Sequence, residues 1–277
     1  MAAIAELAED RVVEGVYAVA RKERLRTRSG SPYLALELVD TSGRIGARVW
    51  SDVELLDGRF GEGDAIRVVG RVERFRDRLQ VDVRSLERAA DADPADLAPT
   101  VRRDRDELDG FLEFLAGELS HPGLRETVGR FLADRRFRDG LRSLPAAPGE
   151  HHDYAGGLLE HTVAVATICR DLTQLHPRLR SDLLIAAAVL HDAGRTLELG
   201  PPPSFRPTEE GRLLGHVQLG LRLIEQRATP LPVDVRAELL HAVAVHHDPR
   251  AARTAEAACL HHANRLDVLA TTMRASA

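Results

Sequence analysis

The first third of the chain alternates apolar and polar residues with a period of two, which is typical of β-strands with one buried face. Residues 12–19 are rich in β-branched side chains and predict the first strand. Four further strands each place their apolar residues on one face: Leu34, Leu36 and Leu38; Ile45, Ala47 and Val49; Ile66, Val68, Gly70 and Val72; and Leu79, Val81 and Val83. A short helical segment, 53–59, separates the third strand from the fourth.

Five strands with a small helix between the third and the fourth outline an OB barrel. We therefore predict an all-β OB domain over residues 1–90. The stretch that follows, with Pro94, Pro99 and many small and acidic residues, predicts a linker over 91–105.

The pattern changes after the linker, because apolar residues now recur with helical spacing. Prolines and glycines break the helix-like segments, which are 106–119, 123–137, 158–175, 182–192, 209–227, 234–246 and 256–271. The second domain, 106–277, is therefore predicted to be an all-α bundle, and the whole chain to be a two-domain protein.

Charge is distributed unevenly between these two parts. The formal net charge is −5, yet 16 basic and 13 acidic residues lie between Arg11 and Arg88, which leaves −8 for the remainder. The first part can hold a phosphate backbone, whereas the second is better suited to metal binding. Lys22 is the only lysine, so the other cations are arginines.

Two classes of protein are disfavoured by the composition. No stretch approaches the run of about 20 apolar residues that a membrane span needs, and the acidic start MAAIAELAEDRVV is unlike a signal peptide. We expect a cytoplasmic protein without membrane contact. Cys169 and Cys259 stand singly, which argues against disulfides and thiolate metal sites.

Histidines are concentrated in the second part of the chain, at the ends of predicted helices. His161 lies near the start of one helix, His191 and Asp192 close the next, and His216 and His246 repeat that arrangement. Four helices can thus direct imidazoles to one end of a bundle. Clustered imidazoles with a carboxylate are satisfied together by a divalent metal, and nitrogen and oxygen ligands suit Mn, Fe or Zn.

Four runs carry a specific resemblance, in this order: HHDYAGGLLEHT (151–162), LLIAAAVLHDAGR (183–195), EEGRLLGHVQLG (209–220) and LLHAVAVHHD (239–248). Together they resemble the HD superfamily and, more narrowly, the YhaM-like 3′-5′ exoribonucleases. That family has an OB domain ahead of its HD domain. The segments GSPYLALELVDTSGRIGARVW and GDAIRVVGRVERFRDRLQ are similar to its OB pattern.

The resemblance implies an active site with one or two divalent ions, most often Mn²⁺, with Fe, Zn and Mg as alternatives. It implies a catalytic role for Asp192, Arg195 and His216. The implied metal ligands are His161, His191, Asp192, His216, His246 and His247, with Asn264 at the last ligand position and His241 a weaker candidate. Hydrolysis from the 3′ end of single-stranded RNA, or of DNA, rests on the resemblance alone.

Two residues depart from the family pattern. Asn264 stands where an aspartate ligand is usual, and an amide oxygen binds a hard cation more weakly because it carries no charge. Arg195 replaces the usual lysine of HDxGK; it keeps the positive charge but cannot donate a proton at neutral pH. Both substitutions are compatible with reduced activity.

An OB domain binds single strands by stacking bases on aromatic rings and following phosphates with cations. The candidates for nucleic-acid contact are Tyr33, Arg44, Arg48, Trp50, Phe75, Arg76 and Arg78, together with His152 in the second domain. Ordinary solvated surface is the alternative for the arginines, and core packing is the alternative for Tyr33 and Trp50.

Three functions follow from these features. The first is a single-strand-specific 3′-5′ exoribonuclease, in which the OB domain captures substrate for the HD site. The second is a non-catalytic nucleic-acid-binding protein with a degenerate metal site, suggested by Asn264 and Arg195. The third is an HD phosphohydrolase of small or cyclic nucleotides, with the OB domain serving assembly as a homo-oligomer.

Overall fold

A computed structural model describes residues 3–229 and 231–273. The chain divides into two compact units, residues 1–100 with 201–205 and residues 101–200 with 206–277. The division at residue 100 lies inside the predicted linker, 91–105. Positions 1–2, 230 and 274–277, which fall within the predicted domains, lie outside the described residues. No helix of the described ranges is long and apolar enough to cross a membrane.

The first unit is a closed five-stranded barrel. Its strands are β1 (Val12–Arg26), β2 (Pro32–Asp40), β3 (Gly43–Val49), β4 (Ala65–Phe75) and β5 (Arg78–Arg88), and helix α1 (Val53–Asp57) lies between β3 and β4. The strand order is β1-β2-β3-β5-β4, and β3 pairs with β5 in parallel while the other pairs are antiparallel. The predicted OB barrel is confirmed.

The barrel core consists of the residues that the period-two pattern places on one face. Leu34 and Leu38 on β2 are fully buried, and Ala47 on β3 and Val68 on β4 are buried with them. Gly70 interrupts β4 at a register shift, where a Cβ would lie 2.5 Å from the backbone oxygen of Asp82. The close approach of β4 and β5 therefore needs a glycine there.

Strand β1 is longer than predicted, because it continues from residue 19 to Arg26. Its second half pairs with β2 as far as the Arg26–Pro32 pair. These residues are mostly polar and largely exposed, so they show no alternation that could have indicated a strand. A turn closed by the hydrogen bond from Thr27 N to Ser31 O, 2.9 Å, joins the two strands.

Lys22, the only lysine, fixes the end of α1 against β1. Its Nζ donates to the backbone oxygens of Asp57 and Phe60, lies 3.0 Å from Asp57 Oδ1 and sits 4.3 Å from the Phe60 ring centroid. The side chain is 10% exposed. A cation at this end satisfies carbonyl groups that the short helix leaves unpaired.

The second unit is helical, as predicted. Its helices are α2 (Arg105–Gly117), α3 (Pro122–Leu132), α4 (Arg135–Ser143), α5 (Gly157–Leu175), α6 (Ser181–Leu190), α7 (Arg195–Glu198), α8 (Glu209–Arg227), α9 (Val233–Ala244) and α10 (Ala255–Thr272). Every residue from Leu183 to Leu190 on α6 is buried. This apolar helix packs against α5, α9 and α10 and forms the centre of the unit.

The predicted helix 123–137 is wrong in one respect, since the structure divides it into α3 and α4. Asp134 interrupts it and accepts hydrogen bonds from the backbone N–H groups of Arg136 and Phe137, at 2.9 and 3.4 Å. An aspartate in this position caps a new helix. The break still lets Phe131 and Phe137 pack edge to face at 5.1 Å.

Candidate metal centre

The predicted ligands come together in the second unit at the ends of helices. His161 is in the second turn of α5, His191 and Asp192 directly follow α6, and His246 and His247 follow α9. Helices α6 and α9 end earlier than predicted, so the backbone turns at these residues. His161, His191 and His246 are at most 1% exposed, and Asp192 is 4% exposed.

Two glycines fix the entry to α5. Gly156 has a φ of 84°, which favours glycine, and a Cβ on Gly157 would overlap the backbone oxygen of His152. The segment carrying His151 and His152 can therefore lie directly against the start of α5. The close approach places these histidines beside His161.

Two more glycines position His216. Gly215 has φ 70° and ψ 163° inside α8, a conformation that is essentially restricted to glycine, and it breaks the helix just before His216. A Cβ on Gly194 would overlap the backbone oxygen of His216, so α8 can approach the turn after Asp192. Glu198 holds the backbone of His216 in this position, because Glu198 Oε1 accepts from His216 N at 3.2 Å.

Asp192 lies at the middle of the cluster, and its two oxygens face different imidazoles. Oδ1 is 3.3 Å from His216 Nε2 and 3.5 Å from His246 Nε2. Oδ2 is 3.8 Å from His191 Nε2 and 3.9 Å from His161 Nε2. His247 joins the first set, with its Nε2 2.9 Å from His216 Nε2. Two of the three donor sets in the described residues thus share this carboxylate, and the third consists of His152, His161 and Asp267.

The outer nitrogens of three of these rings are already hydrogen-bonded. Nδ1 of His191 donates to Ala188 O at 2.7 Å, and Nδ1 of His246 donates to Val243 O at 2.6 Å. Nδ1 of His161 lies 2.6 Å from Asp267 Oδ2. A proton held on Nδ1 leaves the Nε2 lone pair facing inward, which is the orientation that a metal ligand requires.

The residues present fit a divalent cation. Asp192 Oδ1 and His246 Nε2 are buried without a hydrogen-bond partner among the described residues, and the Nε2 atoms of His161 and His191 face each other at 3.2 Å. Inward-facing lone pairs around a buried carboxylate are costly unless a cation is shared among them. Nitrogen and oxygen donors without sulfur favour a first-row divalent ion.

Electrostatics keeps these groups in the forms that bind metal. Burial alone would raise the pKa of Asp192, but His191, His246 and Arg195 hold that pKa well below its usual range. Burial lowers the pKa of the His191 imidazole to about 3, so the ring is neutral at pH 7. An ionised carboxylate among neutral imidazoles is the state that coordination needs.

A cavity of about 270 Å³ opens on this cluster from one side. Its wall includes Asp192, His246 and His247, and around them Glu150, His151, Arg195, His261, Asn264 and Arg265. Asn264 is 6% exposed on α10 and presents an uncharged amide where the resemblance implies a carboxylate. Arg195 Nη1 lies 2.7 Å from Glu198 Oε2, and Arg195 Nε is 3.9 Å from Asp192 Oδ2.

The predicted contact of His152 with nucleic acid is not supported. The side chain is 4% exposed, Nε2 lies 2.8 Å from Asp267 Oδ2 and Nδ1 lies 2.7 Å from Tyr154 Oη. Tyr154 in turn donates to Glu160 Oε2 at 2.6 Å. Both ring nitrogens are occupied inside the protein, so His152 belongs to the network that braces His161 through Asp267.

Two residues of the site were missed by sequence reasoning. Glu198 contacts both Arg195 and His216, but a glutamate in a short helix gives no signal of its own. His151 lies with its ring centroid 5.0 Å from that of His161, and neither of its nitrogens has a hydrogen-bond partner among the described residues. The doubled histidine of HHDYAGG was the available signal.

The nucleic-acid candidates of the barrel form smaller groups. Tyr33 and Trp50 stack on each other with centroids 4.8 Å apart, and Trp50 is 49% exposed, so the alternative of core packing does not hold for Trp50. Phe75 is 55% exposed at the β4–β5 hairpin, with the Arg76 guanidinium 5.2 Å from its ring centroid.

The three remaining arginines lie around clefts on the barrel. Arg44 and Arg78 line one cleft, and Arg48 lines another that shares Glu37 and Gly46 with it. Arg44 is paired with Glu37 at 2.8 Å, and Arg48 Nη1 donates to Ala47 O at 2.9 Å.

Comparison with known protein families identifies the same two domains as the structure. Residues 16–89 match the model of an OB-fold nucleic acid binding domain, and residues 158–269 match the model of the HD domain. The second OB-fold domain of replication protein A from Methanococcus maripaludis matches 32% of this chain and 94% of its own, at 22% identity. Its TM-score of 0.27 is too low to support a structural conclusion.

The chain thus belongs to the class of proteins in which an OB-fold domain is followed by an HD domain. Among curated proteins, the 3′-5′ exoribonuclease YhaM of Bacillus subtilis is 29% identical over 250 residues, and that of Listeria innocua is 27% identical over the same length. Each alignment covers 86% of this chain and 79% of the relative. The chain is a homologue of these 3′-5′ exoribonucleases over most of its length.

Proposed function

We propose that this chain is a metal-dependent 3′-5′ exonuclease that hydrolyses phosphodiester bonds of single-stranded RNA, with single-stranded DNA as an alternative substrate. The observation that carries the proposal is Asp192, whose two oxygens face two sets of inward-directed imidazoles at the floor of an open cavity. The names of the relatives support the direction of cleavage and the RNA substrate.

His161, His191 and Asp192 would hold one divalent ion, and Asp192, His216, His246 and His247 a second. A divalent ion held there would supply an activated water and would neutralise charge on the phosphoryl group. Arg195 and Arg265 border the same cavity, and a guanidinium matches phosphate oxygens in shape and charge. We propose Mn²⁺, the ion that the family resemblance implies and that nitrogen and oxygen donors can bind. We also propose a cytoplasmic location, which suits an exonuclease of RNA.

A 5′-labelled single-stranded oligoribonucleotide incubated with purified protein and Mn²⁺ tests the activity. We expect a ladder shortened from the 3′ end and no ladder from Asp192→Ala. Asp171→Ala, an exposed position on α5, serves as the control and should behave like wild type. An intact oligonucleotide with wild-type protein would contradict the proposal.

The number of ions is tested by metal analysis of wild type, His191→Ala and Asn264→Asp. His191→Ala should lose metal, because it removes a donor that is completely buried beside Asp192. Asn264→Asp should bind metal more tightly, because it adds a negative charge to the cavity wall. Equal metal content in all three proteins would show that these residues are not ligands.

Capture of the strand by the barrel has an intrinsic reporter. Trp50 is the only tryptophan, and its half-exposed ring is stacked on Tyr33. Base stacking on this pair should quench the fluorescence of Trp50 and contribute about 1–3 kcal/mol of binding free energy per base. Addition of single-stranded oligoribonucleotide should quench wild type, whereas Tyr33→Ala should bind more weakly. An unchanged emission spectrum at saturating RNA would place the strand elsewhere.

A non-catalytic nucleic-acid-binding protein is the second candidate. Asn264 supplies no charge to the metal centre, and the Arg195 guanidinium is engaged with Glu198. This candidate predicts fluorescence quenching of Trp50 without cleavage under any divalent metal. Cleavage restored by Asn264→Asp would trace the loss to that one position.

A further inference from the structure

His151 is a buried imidazole whose hydrogen-bonding capacity is unused. Its side chain lines the cavity, the residue is 9% exposed, and neither Nδ1 nor Nε2 has a partner among the described residues. A buried polar group that stays unsatisfied costs about 1–3 kcal/mol. The cost disappears when a group entering the cavity accepts from, or donates to, this ring.

That group is not the metal ion held by the predicted ligands. Each donor set of the centre consists of atoms that all lie within 4.8 Å of one another, and His151 belongs to none of the sets found in the described ranges. Its ring lies edge-on to His161, with centroids 5.0 Å apart, so it adjoins the centre from the side. The open cavity remains as the source of its partner.

The chemistry of the cavity wall favours an anionic oxygen as this partner. Arg195 and Arg265 line the wall together with His151, and Glu150 contributes one carboxylate. An imidazole carries at least one ring N–H in either protonation state, and that N–H can donate to a phosphate oxygen.

We propose that His151 is a catalytic residue that donates its ring N–H to a non-bridging oxygen of the phosphodiester being hydrolysed. The inference rests on the nuclease activity proposed above. Negative charge on the non-bridging oxygens is stabilised by donors fixed in a dry site, and loss of one such donor typically costs a factor of about 10² to 10³ in rate. The backbone of His151 is held in place, since its oxygen accepts from Ala147 N at 3.2 Å, and its ring packs edge-on to that of His161 with centroids 5.0 Å apart.

Single-turnover cleavage by His151→Ala tests this contact. The substrate is a single-stranded oligoribonucleotide with a phosphorothioate at its 3′-terminal linkage, supplied as separate Rp and Sp diastereomers beside the all-oxygen form. Sulfur accepts hydrogen bonds poorly, so wild type should be slowed by the diastereomer that places sulfur at the oxygen bound by His151. His151→Ala should be slowed about 100-fold on the all-oxygen substrate, and that diastereomer should slow it no further.

Three further proteins make the result specific. His151→Asn keeps an N–H donor and should regain part of the rate. His176→Ala removes an exposed histidine at the other end of α5 and should match wild type. Metal content should be equal in all of these variants. If His151→Ala does not fold, His151→Phe, which fills the space without a donor, carries the same expectations.

Three outcomes would overturn the assignment of His151: an unchanged rate in the alanine variant, loss of metal from it, or a diastereomer preference that persists as in wild type. Loss of metal would identify His151 as a ligand instead. Failure of the proposed function looks different, because wild type itself would then leave the all-oxygen oligoribonucleotide intact.

Discussion

Asp267 shows how one carboxylate can orient a candidate metal ligand. Its Oδ2 lies 2.6 Å from His161 Nδ1 and 2.8 Å from His152 Nε2. Burial would raise the pKa of this carboxyl group, but the hydrogen bonds to the two histidines lower it well below the usual range. Asp267 therefore stays ionised and fixes the His161 ring with Nε2 directed toward Asp192.

We predict that Asp267→Asn weakens metal binding without removing a ligand. Partners of this kind typically contribute a factor of about 10–100 in metal affinity. Competition with a chelating dye should show that loss, and Asp171→Asn on the surface of α5 should show none. Unchanged affinity in Asp267→Asn would mean that His161 is oriented by packing alone.

The sequence carried enough information to name candidate ligands but not the residues that support them. His161, His191, Asp192, His216 and His246 are recognisable because each sits at a helix end, in an order that a bundle can bring together. Glu198 and the role of Asp267 depend on contacts between residues 18 and 106 positions apart, which are His216 with Glu198 and His161 with Asp267. No local pattern encodes such contacts.

At the scale of elements, broken helices determine the site. Helices α6 and α9 end just before their ligand pairs, and Gly215 breaks α8 just before His216. The backbone conformation of Gly215 is nearly inaccessible to other residues. The position of His216 therefore depends on a glycine that binds nothing.

Gly215→Ala should destabilise the protein by about 1–3 kcal/mol and weaken metal binding, because alanine must either strain the backbone or straighten α8 and move His216. Gly129→Ala is the matched control. Gly129 is an exposed helical glycine of α3 with open space around the added methyl group, so alanine should stabilise by roughly 0.5–1 kcal/mol. Chemical denaturation measures the stability of the two variants, and metal titration measures their metal affinity. Equal effects of Gly215→Ala and Gly129→Ala would refute the role of the helix break at Gly215.

Sequence patterns predicted the barrel strands best where one face of the strand is buried. Alternation in β3 follows burial residue by residue, and in β2 it does so from Leu34 to Leu38, after which Val39 is buried as well. The polar half of β1 gave no signal although it pairs with β2 as far as Arg26. The break between α3 and α4 was missed because Asp134 stands among residues with helical spacing, and its capping role depends on where the chain turns.

At the scale of the molecule, each unit has its own hydrophobic core. The only tryptophan, Trp50, belongs to the barrel, so its fluorescence reports on the folding of that unit. Tyr17 is buried in the barrel core at 1% exposure, and burial, with the nearby charge of Asp40, raises the pKa of its phenol to about 12. The folded barrel therefore holds the Tyr17 proton more tightly than the unfolded chain, in which the pKa is about 10.

The barrel should lose stability between pH 10 and pH 12. The contribution of Tyr17 is complete below pH 10 and disappears as pH approaches 12, at a cost of about 2–3 kcal/mol. Urea denaturation followed by Trp50 fluorescence measures it. Tyr17→Phe, which cannot ionise, should lose less stability over this interval, and parallel curves for the two proteins would show that Tyr17 does not ionise on unfolding.

The position of Lys22 has a consequence for how the charge of this protein can be regulated. Acetylation erases the positive charge of lysine, whereas methylation of arginine keeps the charge. The one lysine of this chain has a side chain that is 10% exposed and engaged with Asp57 and Phe60. The cationic surface that faces RNA in our proposal consists of arginines, so lysine acetylation cannot neutralise it, and its affinity for RNA remains sensitive to salt.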